Sequence, residues 1–364
     1  MITLLYLFAF VFVLSLVVIV HEGGHFIMAR LCGVSVVEFS LGFGKELLGW
    51  TDKKGTRWKV CALPFGGYVK MLGDEDAASA KSDVKEIAPE LRPYTFMAQK
   101  LWKRAAIIFA GPAMNYVFAV LVLSGVLWIV GQVIIPPVIG SVEEGSAAAE
   151  AGLMAGDEIV QVNGKNVVEF VDVQRIVLLS DKEETFNMRI RRNGTDFDVV
   201  VKPHYNPETE SPRLGVTSSM ETITINDNIG LGRSVVLAIQ NVAEMTTDTV
   251  RYLGQVITRE RSGKDMRGPI GIAEASGDAL RGGWLSLIVF IAQISVAIGF
   301  MNLLPIPLLD GGHLFFYAIE AVRRKPLPDK AQNVFLWMGL SFLMALLAYT
   351  LFLDIPRIWM RIMG

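Results

Sequence analysis

Long uncharged apolar runs divide this chain. Residues 2–20 carry no charge, and the apolar character resumes past a polar cluster at 21–25 to about residue 37. Further runs cover 105–135, 282–309 and 331–353. Each is long enough to cross the hydrocarbon of a bilayer, which takes about 20 residues, so the pattern predicts four transmembrane helices. Between the first two runs, Leu41-Gly42-Phe43-Gly44 and the stretch from Leu63 to Leu72 mix strand-forming residues with Gly and Pro. That mixture predicts a bent β-hairpin. Residues 138–217 alternate short β-type runs with turn signals, Asn163-Gly164 and Asn193-Gly194 among them, and carry a short Ala-rich helical stretch at 146–155. This is the signature of a small α+β domain. Residues 229–257 place Val235, Ile239, Val242, Met245, Val250, Leu253 and Val256 at helical spacing. They predict an amphipathic helix, lying on a membrane or bundle, or packed on its own domain.

These elements divide the chain into a first transmembrane helix (1–37), a β-hairpin and loop (38–100), a second transmembrane helix (101–135) and an inserted domain (136–220). An amphipathic helix with a connecting loop (221–281), a third transmembrane helix (282–314), and a loop with a fourth (315–364) complete it. The fold class expected is a polytopic α-helical membrane protein with a membrane-associated hairpin and an inserted α+β domain. Composition agrees: 52% of the 364 residues are hydrophobic, and the mean hydropathy is +0.43. A net charge of −2 without a basic patch gives no footprint for nucleic acid. Cys32 and Cys61 provide no disulfide framework, and each thiol reads as a small buried apolar residue. The amino-terminal run lacks a basic leader and a small-residue cleavage site, so it reads as an uncleaved anchor rather than a signal peptide. Lys and Arg crowd the segment from Lys45 to Arg104, Lys81 and Lys85 included, and recur at Arg323, Arg324, Lys325 and Lys330. Arg357 and Arg361 oppose that bias mildly. The bias puts both connections on the cytoplasmic side and the inserted domain outside.

The chemistry concentrates where the first run is interrupted. His21-Glu22-Gly23-Gly24-His25 has the H-E-x-x-H spacing, which brings two imidazoles onto one helix face as ligands for one zinc ion. Glu22, beside that face, is placed to take a proton from the attacking water. Ionisable groups are costly in hydrocarbon, and a metal gives this cluster a reason to be there. A catalytic zinc keeps three protein ligands and one open position. Asp310, at the end of the third run in Leu309-Asp310-Gly311-Gly312-His313, is the third-ligand candidate, with His313 as its rival. His204 has no evident partner and reads as a solvated surface residue.

With these residues assembled, the chain resembles the site-2 protease family of intramembrane zinc metalloproteases, most closely the bacterial RseP-type branch. The resemblance rests on His21 to His25, Phe109-Ala110-Gly111-Pro112-Ala113-Met114-Asn115, Gly268-Pro269-Ile270-Gly271-Ile272, and Asn302 to His313. It implies that His21, His25 and Asp310 bind one Zn2+ and that Glu22 is the catalytic base. It implies substrate contacts at Asn302 and Asn115. It also implies a membrane-associated hairpin that clamps substrate through Gly67, Tyr68, Val69 and Lys70. Gly145 to Ile159 resembles a PDZ domain, with Leu214, Gly215 and Val216, or Ile139, Gly140 and Ser141, as its carboxylate-binding loop. Relatives of this branch carry two tandem PDZ domains, and this chain has room for one. The function implied is intramembrane endoproteolysis in a bacterial inner membrane. The substrates implied are single-span proteins, such as anti-sigma factors already trimmed by another protease, or remnant signal peptides. The partners are then such substrates, the lipid bilayer and peptide C-termini at the PDZ domain. Two rivals stand beside this reading. One is a CAAX-processing membrane zincin, which would need a downstream Glu as third ligand. The other is a PDZ-based scaffold with a vestigial zinc site. A transporter is disfavoured because the spans show no internal repeat.

Overall fold

The computed structural model describes residues 2–73, 87–180, 184–205, 212–219, 224–226, 229–259, 266, 268–325 and 327–363. Lys81 and Lys85 of the basic segment, and the expected domain boundary at 220/221, lie outside the described residues. In chain order the elements are α1 (Ile2–Leu31), β1 (Val36–Thr51), β2 (Arg57–Met71), α2 (Leu101–Val130), β3 (Gln132–Ile134), β4 (Ile139–Val142), α3 (Ala147–Glu150), β5 (Glu158–Val162), β6 (Lys165–Asn166) and α4 (Phe170–Leu178). They continue with β7 (Phe186–Arg192), β8 (Thr195–Val201), β9 (His204–Tyr205), β10 (Pro212–Arg213), β11 (Val216–Ser218), β12 (Thr224–Asn226), α5 (Leu231–Ile257), α6 (Pro269–Arg281), α7 (Trp284–Leu303), α8 (Asp310–Arg323) and α9 (Asp329–Met363). Two units result: Met1–Leu123 with Arg267–Gly364, and Ser124–Met266.

Among the described residues, α1, α2, α7 and α9 are the four helices long and apolar enough to cross a membrane. The chain is a polytopic membrane protein with an additional sheet-containing region. The helix ends differ from the hydropathy boundaries because turn chemistry sets them. α1 stops at Leu31, ahead of Gly33 at φ +84°, and Val36 already belongs to β1. α2 begins at Leu101, before the charged Lys103 and Arg104, and ends at Val130, ahead of Gly131 at φ +88°. Residues 269–281, expected as connecting loop, form α6. Pro269 opens it, where a missing N–H costs nothing. Asp354 of α9 accepts the Gly268 and Gly271 N–H groups at 3.3 and 3.1 Å. A buried carboxylate at the end of the apolar stretch of α9 thereby caps α6. The stretch expected as loop after residue 314 continues α8 to Arg323.

β1 and β2 form a bent antiparallel pair. Residues 39–41 of β1 meet both 58–60 and 67–69 of β2, across several register shifts. The segment Gly67–Met71 therefore has β1 on one side and, among the described residues, no strand on the other. Phe39, Val69 and Met71 pack with Ala29 of α1 and Ile107 of α2, which seats the hairpin against the helices. Cys32 and Cys61 are buried free thiols.

In the second unit, a four-stranded antiparallel sheet has the order β6-β5-β7-β8. On β7, Phe186, Met188 and Ile190 face inward while Asn187, Arg189 and Arg191 face solvent, the period-two alternation of a half-buried strand. With Ile159, Val162 and Val201 they pack against Ala147 and Ala148 of α3 and Val173 and Val177 of α4. Each fully buried Val, Ile, Met or Phe among them contributes roughly 1.5–3 kcal/mol. Asn163-Gly164 and Asn193-Gly194 all have positive φ, the geometry of the tight turn their sequence predicts. Sequence periodicity does not single out α4, whose start is fixed by a capping box between Glu169 and Asp172. Arg175 of α4 pairs with Glu244 and Asp248 of α5 at 3.0 and 2.8 Å. Gln255 of α5 donates to the Leu179 carbonyl. Of the two expectations for α5, packing on its own domain is the one these bonds favour. His204, expected to stand alone, lies 3.1 Å from Glu150.

Asp157 is buried within this domain. It accepts two bonds from Arg192, at 2.6 and 2.8 Å, and one from the Met154 N–H. Burial alone would raise its pKa, but the Arg192 and Met154 bonds prevail and lower it. A lowered folded-state pKa stabilises above the unfolded value near 4 and is lost as pH falls through the folded value. Asp157→Asn is thus expected to lower the domain's melting temperature at pH 7 and to shrink that difference below pH 4. A difference that stays constant from pH 7 to 3 would refute the assignment.

Candidate metal centre

α1 carries His21 and His25 one turn apart, and both are buried. Their Nε2 atoms are 3.2 Å apart. Oδ2 of Asp310 lies 3.0 Å from Nε2 of His21 and 3.5 Å from Nε2 of His25. Around a tetrahedral zinc with ligands at about 2.1 Å, neighbouring donor atoms are about 3.4 Å apart. The three separations therefore suit one such ion. Oδ2 of Asp310 is also buried without a hydrogen-bond partner. Two imidazole nitrogens set against one buried anionic oxygen make a place for a cation between them, so two imidazoles and this carboxylate fit zinc by geometry and by chemistry.

Local sequence explains each placement. Pro305 and Pro307 cannot continue α7, and the chain leaves the helix at Leu304. Leu308 adopts φ +75°, a strained value for a branched side chain, and Asp310 then opens α8. A Cβ at Gly311 would sit 2.1 Å from the Leu304 carbonyl oxygen, and one at Gly312 would sit 2.5 Å from that of Ile306. Only glycine lets the first turn of α8 fold onto the broken segment. On α2, Pro112 removes one rung of the helical ladder, and the nearby Ile107 carbonyl accepts from Nδ1 of His25 at 2.9 Å. Gly111 lies under the His25 ring, where a Cβ would be 2.3 Å from Nε2. A Cβ at Gly24 would be 2.2 Å from the Ala110 carbonyl oxygen, so α1 and α2 touch backbone to backbone here.

A cavity of about 380 Å³ opens onto these groups, lined by His21, Glu22, His25, Asn302 and Asp310 together with Gly67, Tyr68 and Val69. Gly67 sits close to α1, with Cγ of Glu22 3.4 Å from where its Cβ would be. Of the other residues expected at the site, Lys70 and Asn115 do not line the cavity. The Lys70 charge instead acts on Glu38, and Asn115 is fully buried with Nδ2 3.3 Å from Nδ1 of His21. His313 is exposed at the cavity wall, and its ring is not part of the three-donor cluster. Two functional elements escaped sequence reasoning. Gly111 stood in a recognised motif without an assigned role, and the Ile107 carbonyl has no side-chain signal at all.

In the second unit, Leu214, Gly215 and Val216 line a groove of about 780 Å³ whose other wall is Phe170, Val173 and Val177 of α4. Of the alternative loop, Ser141 reaches this groove, while Gly140 packs against Ser218.

Residues 9–346 match the sequence model of peptidase family M50. A protein of Agrobacterium fabrum, whose name assigns it provisionally to the zinc metalloproteases, is 38% identical, covering 97% of this chain and 96% of its own length. One of Rhizobium meliloti, named in the same way, is 38% identical over 95% of each chain. Metalloprotease MmpA of Caulobacter vibrioides is 33% identical over 97% of this chain and 96% of its own. With four spanning helices and a buried donor set that suits zinc, the chain belongs to peptidase family M50, the site-2 protease family of membrane zinc metalloproteases.

Proposed function

We propose that this protein is an intramembrane endopeptidase that cuts single-span membrane proteins, with His21, His25 and Asp310 holding the zinc and Glu22 as general base. The observation that carries the reading is the convergence of Nε2, Nε2 and Oδ2 on one point beside Glu22, in a cavity edged by a strand that, among the described residues, is paired on one side alone. Zinc, when bound, supplies a Lewis acid that polarises the scissile carbonyl and acidifies water. Glu22 takes the proton of the attacking water and delivers it to the leaving nitrogen as the C–N bond breaks. Asn302, on the cavity wall, holds the substrate backbone or the developing oxyanion by hydrogen bonding.

A substrate helix keeps its carbonyls in its own hydrogen bonds, so it must unwind before attack. The free edge at Gly67, Tyr68 and Val69 would receive the unwound segment as an added strand, replacing the bonds it gives up. Lys70 belongs to that strand through its backbone. The groove at Leu214, Gly215 and Val216 reads as the peptide-binding face of a single PDZ domain for extended C-termini. That domain stands outside the membrane, in the orientation the Lys/Arg bias implies, and docks or filters substrates whose outer domain another protease has removed. Anti-sigma factors and remnant signal peptides fit that description, and a bacterial inner membrane is the corresponding location.

One substrate panel in proteoliposomes tests these steps. Cleavage within the span is expected to be abolished by a zinc chelator. It should speed up when a Gly or Pro stands near the scissile bond, and slow down when a bulky outer domain is retained. Equal rates on a poly-Leu span would remove the unwinding step, and equal rates on untrimmed substrate would remove the filter.

A further inference from the structure

The outer ring nitrogens of both histidines face α2. His25 Nδ1 meets the Ile107 carbonyl at 2.9 Å, and His21 Nδ1 meets the Asn115 side chain at 3.3 Å. A backbone carbonyl only accepts, so His25 must carry its proton on Nδ1, which leaves the Nε2 lone pair for a metal. An asparagine amide can face His21 with either end, because its oxygen and nitrogen have nearly the same shape. With Nδ2 towards the ring, the neutral imidazole would be protonated on Nε2, against Nε2 of His25 at 3.2 Å and Oδ2 of Asp310 at 3.0 Å. That tautomer cannot ligate zinc. Either orientation leaves one amide atom unpaired, as Oδ1 is now, so burial does not choose between them and the metal does.

We infer that Asn115 is a positioning residue for the metal: its side-chain carbonyl accepts from Nδ1–H of His21 and holds Nε2 as the zinc ligand. This rests on His21 being a ligand, as proposed above. Asn115 is held firmly enough for the task. Its side chain is fully buried, and its backbone carbonyl accepts from Ser295 of α7 at 3.0 Å. A Cβ at Gly299 would be 3.2 Å from Asn115 Cβ, so α7 closes over it. It does not line the cavity, and so it acts through His21 rather than on substrate. α2 then supplies the outer contact of both histidines, through a main-chain oxygen for His25 and a side-chain oxygen for His21.

The test is zinc affinity of the full chain in detergent, measured by competition with a chelator, for the wild type, Asn115→Leu and Asn115→Asp. Leu fills a similar volume without an acceptor, and Asp presents an oxygen in either orientation. Loss of an outer-shell partner typically costs 10–100-fold in metal affinity, and that loss is expected for Asn115→Leu. Asn115→Asp is expected to stay within about threefold of the wild type, since it supplies the same acceptor. Wild-type affinity in the Leu variant, or a tenfold loss in the Asp variant, overturns the assignment. If the Leu variant does not fold, the Asp variant decides alone. A role in packing would instead lower the melting temperature of the zinc-free Leu variant and leave its affinity intact. A wild-type chain that binds no zinc fails the metal reading itself, a result distinct from either variant outcome.

Discussion

Glu22→Gln is expected to leave zinc bound and to cut peptide hydrolysis by about 10²–10⁴-fold, the range general acid–base catalysis supplies. Glutamine keeps the shape of the side chain but cannot accept the proton of the attacking water or return it to the leaving amine. Glu22 is not among the three converging donors, so the zinc content should be unchanged. It follows His21 on α1 and lines the same cavity as His21, His25 and Asp310, so it is close enough to act on a water held there. Zinc per chain and the initial rate on a trimmed single-span substrate, measured on the same preparation, decide the matter. A variant that still cuts at the wild-type rate would move the base to another residue. A variant that loses its zinc would make Glu22 part of the metal site. The same pair of measurements on Asp310→Ala bears on the CAAX-type rival, which does not need this carboxylate.

Gly111→Ala is expected to lose both zinc and activity, although glycine carries no functional group. The added methyl would lie 2.3 Å from Nε2 and 2.5 Å from Cε1 of His25. These are far inside contact distance, so the ring must move. His25 has little room to do so, because Nδ1 is bonded to the Ile107 carbonyl and Nε2 must reach the metal. Gly23→Ala is the matched control. It lies inside the H-E-x-x-H motif, yet a Cβ there meets nothing within 4 Å. Chelator competition should therefore find Gly23→Ala indistinguishable from the wild type and Gly111→Ala weakened at least 100-fold, the upper range for disturbing a ligand's support. Equal zinc affinity in the two variants would mean that the α1–α2 contact is looser than the backbone places it.

Much of this architecture was legible from residue order because its causes are local. Four spans follow from apolar runs that have no other way to avoid water. The Asn-Gly turns follow from backbone geometry few other residues adopt. His21 and His25 share a face because they are four apart on a helix. Other features are not encoded by any short window. α6 has just three large apolar residues, Ile270, Ile272 and Leu280, and is capped by Asp354, far along the chain. α4 is short and declares itself through the core it covers. Spacing alone could not choose between Asp310 and His313, which are three residues apart. The broken segment at Leu304–Leu309, with Gly311 and Gly312 packed on its carbonyls, turns one towards the histidines and leaves the other exposed at the cavity wall. The part Asn115 plays also became readable only in three dimensions. In sequence it is one polar residue in an apolar helix, while in the fold its amide meets the outer nitrogen of His21 from another helix. The sequence by itself determined which groups could bind a metal and which segments could enter a membrane, because composition and periodicity are properties of the chain. Which donors meet, and what holds their tautomers, was decided by tertiary structure, because those contacts join residues that only packing brings together.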